Sequence, residues 1–153
     1  MNTRQGVAVA AIVALAALAA LSGCAPVTSR VTQGKVQTTI DQTPARSAFI
    51  EAIGIGASDP ALSSDTQRKA LARDAAIAKA QYEMLAMVKG VELQGGITVS
   101  RAMEKDGTLE TRIKDTLRGA EILKSEFTAD NGCVVTIRLP RSRLENMMGV
   151  KFR

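Results

Sequence analysis

The feature that most constrains this chain is an uninterrupted apolar run close to its N-terminus. Residues 7–21 read VAVAAIVALAALAAL and contain no polar side chain. A membrane-spanning helix needs roughly 20 apolar residues, whereas this run is shorter, rich in alanine and preceded by Arg4. A basic start followed by an apolar middle is typical of a secretory signal. The run therefore predicts that residues 1–23 are a signal peptide and that only the rest of the chain folds.

The residues that follow the run explain where the signal would be cut. Leu21, Ser22, Gly23 and Cys24 stand in succession, and this stretch resembles the lipobox of bacterial lipoproteins. The resemblance implies cleavage between Gly23 and Cys24, a diacylglycerol thioether on Cys24 and acylation, for instance with palmitate, of the new amino group. Several acyl chains, at about 0.8 kcal/mol per buried methylene, make a stable anchor. The alternative is an ordinary signal that leaves Cys24 as a thiol.

Two further positions bear on location and redox state. Ala25 follows Cys24 where an aspartate would be the usual inner-membrane retention signal. In a cell with two membranes this predicts an outer-membrane lipoprotein whose domain lies in the periplasm. An acylated Cys24 leaves Cys133 alone, in the apolar stretch CVVTI. We therefore expect Cys133 to be a buried small hydrophobic residue and not a reactive thiol.

Composition argues against most catalytic chemistry. The chain has no histidine and no tryptophan, which removes Ser-His triads, Cys-His dyads and most zinc sites. Carboxylates are sparse, and the sequence leaves a two-carboxylate hydrolase open. The pair Gly54 and Gly56 follows a predicted strand, but Asp59 stands where a dinucleotide motif needs its third glycine. We predict no catalytic residue, no metal site, no cofactor and no enzyme; the two glycines are interpreted as a strand end that bends into a loop.

Charge limits the partners. The full chain carries a net charge of +5, and removal of residues 1–23 subtracts one arginine and no acid. A mildly basic domain suits contact with anionic lipid or envelope polymer, and it is not the footprint of a nucleic-acid-binding protein. Basic residues gather near the C-terminus, where they form either an anion-binding group or, as we prefer, a solvated surface without a specific ligand. They are Arg138, Arg141, Arg143, Lys151 and Arg153.

The remaining chain divides into a tether and one domain. Residues 24–46 hold the lipidated Cys24 and a stretch rich in Thr, Gln and Ser, which predicts a flexible tether that reaches at most about 75 Å when extended. Val31, Val36 and Ile40 leave open that part of it pairs as an edge strand. Residues 47–153 are predicted to form a single domain.

Hydrophobic periodicity predicts the elements of that domain. Residues 49–55 alternate as a strand, and residues 65–89 form a long helix capped by Ser64 with Gln67 and ended by Gly90. Its apolar face is predicted from residues spaced by three and four and from neighbours that widen it. The predicted face comprises Leu71, Ala75, Ala78, Tyr82, Leu85 and Val88, widened by Ala70, Ile77 and Met84.

The second half predicts strands. Residues 91–101 alternate as a strand with a bulge at Gly95 and Gly96. Residues 109–120 fit a helix or a strand equally well. Residues 121–128 and 133–139 form a hairpin through Asn131-Gly132, and residues 141–148 a short helix. The predicted fold class is therefore α+β, with one long helix packed on a mostly antiparallel sheet of four or five strands.

Residues 49–139 also carry a family resemblance. The segments FIEAIGIGASD, RKALARDAAIAKAQYEMLAMVKGVEL, DGTLETRIKDTLRGAEILKSEF and DNGCVVTIRLP resemble the small bacterial outer-membrane lipoprotein family that includes the flagellar protein FlgP. They are also similar to the N-terminal domain of the flagellar assembly protein FlgT. The resemblance implies a non-enzymatic structural or assembly role in the cell envelope, associated with the flagellum and motility. It implies envelope or flagellar protein partners and a homo-oligomer; other members are surface antigens of unknown role.

One other class has some support in the sequence. The stretch PALSSDTQRKALARDAAIAKA resembles a helix of OmpA-like domains, which bind peptidoglycan. Its flanking strands match that family poorly, so peptidoglycan binding is kept as the alternative.

Overall fold

The computed structural model describes residues 28–153. Over this range the fold is α+β, with four helices and two antiparallel sheets. The strands are β1 Val31–Thr32, β2 Lys35–Val36, β3 Phe49–Gly56, β4 Glu121–Phe127 and β5 Cys133–Pro140. The helices are α1 Asp65–Lys89, α2 Val99–Lys105, α3 Gly107–Arg118 and α4 Arg141–Met148.

The main sheet has three strands in the order β3-β5-β4. Phe49 lies opposite Pro140 and Gly56 opposite Cys133, so β3 and β5 pair over their whole length. β4 and β5 form the predicted hairpin, whose turn places Asn131 at φ 64°, a backbone conformation that asparagine tolerates better than most residues. The small sheet is the short hairpin of β1 and β2 near the start of the described residues.

The main sheet has fewer strands than predicted because two segments of the sequence fold differently. Residues 91–101 are not a strand, since Gly95 and Gly96 have φ of 116° and 78° and turn the chain back on itself. Only isolated bridges remain there, and Thr98 caps the short helix α2. The ambiguous residues 109–120 belong mostly to helix α3, whose N-terminus is capped by the Asp106 side chain. The predicted sheet of four or five strands under a single long helix was therefore wrong, although the α+β class is confirmed.

Helix α1 begins at Asp65 and ends at Lys89, as predicted, but of the nine residues predicted for its buried face only Met84 and Val88 are fully buried. Every fourth residue lies in the core: Ala72, Ala76, Ala80, Met84 and Val88. Most of the predicted face points to solvent. Leu71 and Tyr82 are exposed, as are Ala70, Ala75 and Ala78.

Glycines on β3 explain why the buried face of α1 is built from alanine. A Cβ on Gly54 would lie 1.9 Å from the Ala76 carbonyl oxygen, and a Cβ on Gly56 would lie 1.9 Å from that of Ala72. The backbones of strand and helix are thus in direct contact. The two glycines allow this close approach, which corrects their interpretation as a bend at the end of the strand.

Candidate functional site

The predicted lipidation and cleavage residues, Cys24 and Gly23, and the signal peptide over residues 1–23 lie outside the described residues. The described chain begins nearby, and its first part lies on the domain. We call residues 29–42 the strap. It crosses the face of the sheet opposite α1, which we call the outer face, and it is the feature on which the candidate site is built.

Polar contacts hold the start of the strap to β4. The Ser29 hydroxyl donates to one oxygen of Glu126, and the Arg30 backbone N–H donates to the other at 2.8 Å. Partial burial of Glu126 opposes its ionisation, but the hydrogen bonds from Ser29 and Arg30, with a contribution from Lys124, outweigh it and lower its pKa. Glu126 is therefore ionised and binds the beginning of the strap through both carboxylate oxygens.

The Arg30 side chain carries the strap across to β3. Its guanidinium lies 3.9 Å from Glu51 and donates to Gln37 at 2.9 Å. Glu126 and Glu51 are on the two outer strands, so the strap covers the central strand between them. Val134 and Thr136 of that strand are 1% exposed, which shows how fully the outer face is covered here.

The far end of the strap occupies the free edge of β3. The side-chain amide of Gln42 donates to the Glu51 carbonyl oxygen, and its oxygen accepts the Glu51 backbone N–H at 3.1 Å. One side chain thus satisfies both backbone groups of an edge residue, as a neighbouring strand would. Residues 29–42 were predicted as part of a flexible tether; in the structure they are attached to the domain, and the interior boundary at 46 stays a prediction.

The opposite edge of the sheet is open among the residues that the structure describes. There, β4 pairs only with β5, and a β-bulge between Ile122 and Lys124 interrupts its ladder. The Thr128 N–H donates to the Gly132 carbonyl. Since donors alternate along an antiparallel strand, the N–H and C=O groups of Ser125 and Phe127 point away from β5. The open edge therefore spans residues 124–127.

A hollow of about 550 Å³ lies where the β1–β2 hairpin meets the end of the main sheet. Apolar residues make up much of its lining: Val31 and Val36 of the hairpin, Ile55 of β3 and Phe127 of β4. Ile55 is 42% exposed and Phe127 45%. Asp130 in the β4–β5 turn also lines it. The hollow is close to the point where the strap begins.

The C-terminal basic residues do not form a free anion site. Arg138 pairs with Glu121 at 2.8 Å, Lys151 with Glu145 at 3.0 Å and Arg153 with Glu92 at 3.1 Å. Arg141 donates to the Ala45 carbonyl and Arg143 to that of Gly119. Each of the five is engaged within the domain, which supports the interpretation as a surface without a specific ligand.

The remaining chemistry is equally sparse. Cys133 is buried, and burial raises the pKa of its thiol against the opposing effect of Arg73, so it packs as the small hydrophobic residue that was expected. Across residues 28–153, no cluster of three or more acidic, cysteine or histidine side chains could hold a metal ion. Over the same range, no helix has the length and apolar character to cross a bilayer.

Sequence reasoning predicted the β4–β5 hairpin but missed both its open edge and the strap. The apolar residues Val31 and Val36 hinted that this segment has structure, whereas its attachments to Glu126 and Glu51 had no local signal. Comparison with protein-family models, with curated proteins and with solved structures finds no match for this chain. The function therefore has to be argued from the residues themselves.

Proposed function

We propose that this chain is a non-enzymatic outer-membrane lipoprotein, anchored by acyl chains on Cys24, whose periplasmic domain takes part in protein assembly in the cell envelope. The observation that carries the proposal is the succession of Arg4, the apolar residues 7–21 and the lipobox-like LSGC that ends in Cys24. A signal peptide over residues 1–23 is part of the same proposal. The acyl chains would fix the domain at the membrane, and the domain would supply the contacts.

Lipidation of Cys24 is tested directly with the two cysteines of the chain. Cells that express the full chain are grown with an alkyne analogue of palmitate, and the purified protein is probed for label and for its N-terminal mass. We expect labelled protein that starts at Cys24. Cys24→Ala should lose the label and accumulate uncut precursor. The matched control Cys133→Ala should keep the label and the N-terminus at Cys24. Equal labelling of the two variants would disprove the anchor.

Assembly through the open edge of β4 is the contact that the fold supports best. Ser125 and Phe127 leave outward N–H and C=O groups unpaired among the described residues, while on β3 Gln42 already bonds both backbone groups of Glu51. An open edge can accept a strand from another chain, and a second copy of this chain would give the homo-oligomer.

The edge is tested with a proline that leaves the β4–β5 ladder intact. Ser125→Pro removes an outward N–H, and prolines are tolerated at edge strands for this reason; Ser125→Ala keeps the N–H and is the control. We expect the full lipidated chain in detergent to sediment as an oligomer, Ser125→Ala to do the same and Ser125→Pro to sediment as a monomer with unchanged helical content. An oligomer that survives the proline would place the interface elsewhere.

The flagellar role rests on the resemblance of residues 49–139 to the lipoprotein family described above. A clean deletion strain is tested for swimming in soft agar, with wild type and Cys24→Ser as complements. Loss of swimming that only the lipidated form restores would support a flagellar role that depends on the anchor. A deletion strain that swims normally would remove the flagellar part and leave a general envelope lipoprotein.

Peptidoglycan binding has less support, because all five C-terminal basic residues have acceptors inside the domain. Co-sedimentation of the purified protein with isolated sacculi would decide in its favour. A subunit that acts by protein assembly should stay in the supernatant.

A further inference from the structure

The strap fixes how far the domain can stand from its anchor. Ser29 and Arg30 are bonded to Glu126, and Cys24 precedes Ser29 by only five residues. Five extended residues reach at most about 18 Å. The part of the domain around Glu126 therefore has to lie within that distance of an acylated Cys24.

The same part of the domain carries large apolar side chains that are exposed to solvent. We call it the hairpin end: the β1–β2 hairpin, the C-terminal end of β3 and the β4–β5 turn. Ile55, opposite Val134, is exposed on the outer face, and Phe127, opposite Cys133, is exposed on the α1 side of the same sheet end. Both residues line the 550 Å³ hollow together with Val31 and Val36. Phe127 is the neighbour of Glu126 in β4, so the apolar surface adjoins the point where the strap begins.

Charges at the hairpin end are mixed. Lys35 lies in the hairpin, and the Lys69 ammonium lies 5.8 Å from the centre of the Phe127 ring. Asp130 lines the hollow, and Asp65 is on the first turn of α1 near the same turn of β4 and β5, where Asn131 contacts it. Because both signs are present, the surface suits an apolar contact better than an electrostatic one.

We propose that the hairpin end rests on the phospholipid surface that holds the acyl chains of Cys24, with Ile55 and Phe127 at the boundary between head groups and acyl chains. Exposed apolar and aromatic side chains are stabilised at that depth. The proposal rests on lipidation of Cys24 and adds an orientation: the open edge of β4 stands up from the membrane, with residue 127 nearest to it and residue 121 farthest away.

The orientation is tested with two exposed basic positions at opposite ends of β4. Lys35→Cys places a label at the hairpin end, and Arg118→Cys places one just before the start of β4. Cys133 is buried and Cys24 would carry a thioether, so the new thiol is the one that a dye modifies. The full lipidated chain is reconstituted into vesicles of phosphatidylethanolamine and phosphatidylglycerol that contain brominated acyl chains, and quenching of a bimane label is measured.

We expect quenching at position 35 to be several-fold stronger than at position 118 and to change little between low and high salt. Quenching that is equal at both positions, or stronger at 118, would overturn the orientation. The mass of the same sample shows whether Cys24 is acylated. An unacylated sample would overturn the proposed function, whereas an acylated sample without the difference in quenching would overturn this inference alone.

Discussion

At the scale of single residues, two glycines set the distance between helix and sheet. Replacing Gly54 with alanine would place a methyl group 1.9 Å from the Ala76 carbonyl oxygen and 2.3 Å from the Ala80 nitrogen. Both are backbone atoms of α1, so no side chain can move aside. Overpacking in a core costs about 1–3 kcal/mol, and we expect Gly54→Ala to lower the free energy of unfolding by about 3 kcal/mol, the upper end of that range.

Urea unfolding of the full chain measures this effect against a matched control. A Cβ on Gly107, at the start of α3, meets no atom within 4 Å, and alanine there should stabilise the protein by up to about 1 kcal/mol because it restricts the unfolded chain. Similar midpoints for the two variants would mean that α1 does not approach β3 as closely as the structure shows.

Among residues 28–153, Glu145 is the most buried carboxylate. It lies on α4, accepts the Phe152 backbone N–H at 3.0 Å and pairs with Lys151 at 3.0 Å and Arg141 at 3.5 Å. Burial opposes its ionisation, but the Phe152 hydrogen bond and the two cations outweigh it, so its pKa is lowered. An ionised Glu145 therefore ties the C-terminal residues to α4.

That lowered pKa gives stability a defined dependence on pH. The stabilising contribution is fully present above the unfolded-chain value of about 4.3 and is lost as the pH falls through the lower pKa of the folded state. We expect Glu145→Gln to reduce the slope of unfolding free energy against pH below about pH 4.3. The exposed control Glu104→Gln should leave the slope unchanged, and a slope equally unchanged by Glu145→Gln would contradict the assignment.

At the scale of elements, local sequence signals predicted where helices and strands begin and end better than they predicted which face of a helix is buried. The capping pattern at Ser64 and the Asn131-Gly132 turn act within a few residues, and the structure confirms α1 and the β4–β5 hairpin. The buried face of α1 could not be read locally because both of its sides are apolar. Leu71 and Tyr82 are the larger residues, but the glycines of β3 select the side with small alanines.

The prediction of a strand over residues 91–101 was wrong for a related reason. Its alternation predicts a strand only if Gly95 and Gly96 keep the backbone extended. Their positive φ values reverse the direction of the chain instead. Loss of this strand, together with the helical fold of residues 109–120, leaves three strands in the main sheet.

Gln42 ties the strap to the edge of β3 at Glu51, and it uses both the donor and the acceptor of its side-chain amide. Gln42→Glu keeps the shape but has no donor for the Glu51 carbonyl oxygen, and the loss of one such contact costs about 1–3 kcal/mol. A carboxylate there would repel that oxygen, so the side chain should leave the edge and the Glu51 N–H should lose its acceptor as well. We expect hydrogen exchange of the Glu51 amide to accelerate strongly in this variant. In the exposed control Gln94→Glu, the Glu51 amide should exchange as in wild type. Equal protection of that amide in the two variants would mean that Gln42 does not protect the edge of β3 at Glu51.

At the scale of the whole molecule, the anchor and the domain are connected by contacts that no local pattern contains. The predicted site at Cys24 follows from a contiguous motif, whereas the bonds of Ser29 and Arg30 to Glu126 join residues almost a hundred positions apart. Those bonds turn a segment predicted to reach about 75 Å into a short connection. In the proposed lipoprotein, the height of the domain above the membrane is thus set by folding and not by the number of residues alone.

Lengthening that connection separates the effect of the proposed anchor from that of the apolar surface proposed to contact lipid. A Gly-Ser insertion of about ten residues after Val27 adds a flexible reach of about 18 Å without touching the strap. If Ile55 and Phe127 contact lipid themselves, quenching at position 35 should persist in the lengthened chain and fall only when Ile55→Ser and Phe127→Ser are added. Quenching that disappears with the insertion alone would show that the short connection, and not the apolar surface, keeps the domain at the membrane. Thermal unfolding of both variants in detergent controls for loss of the fold.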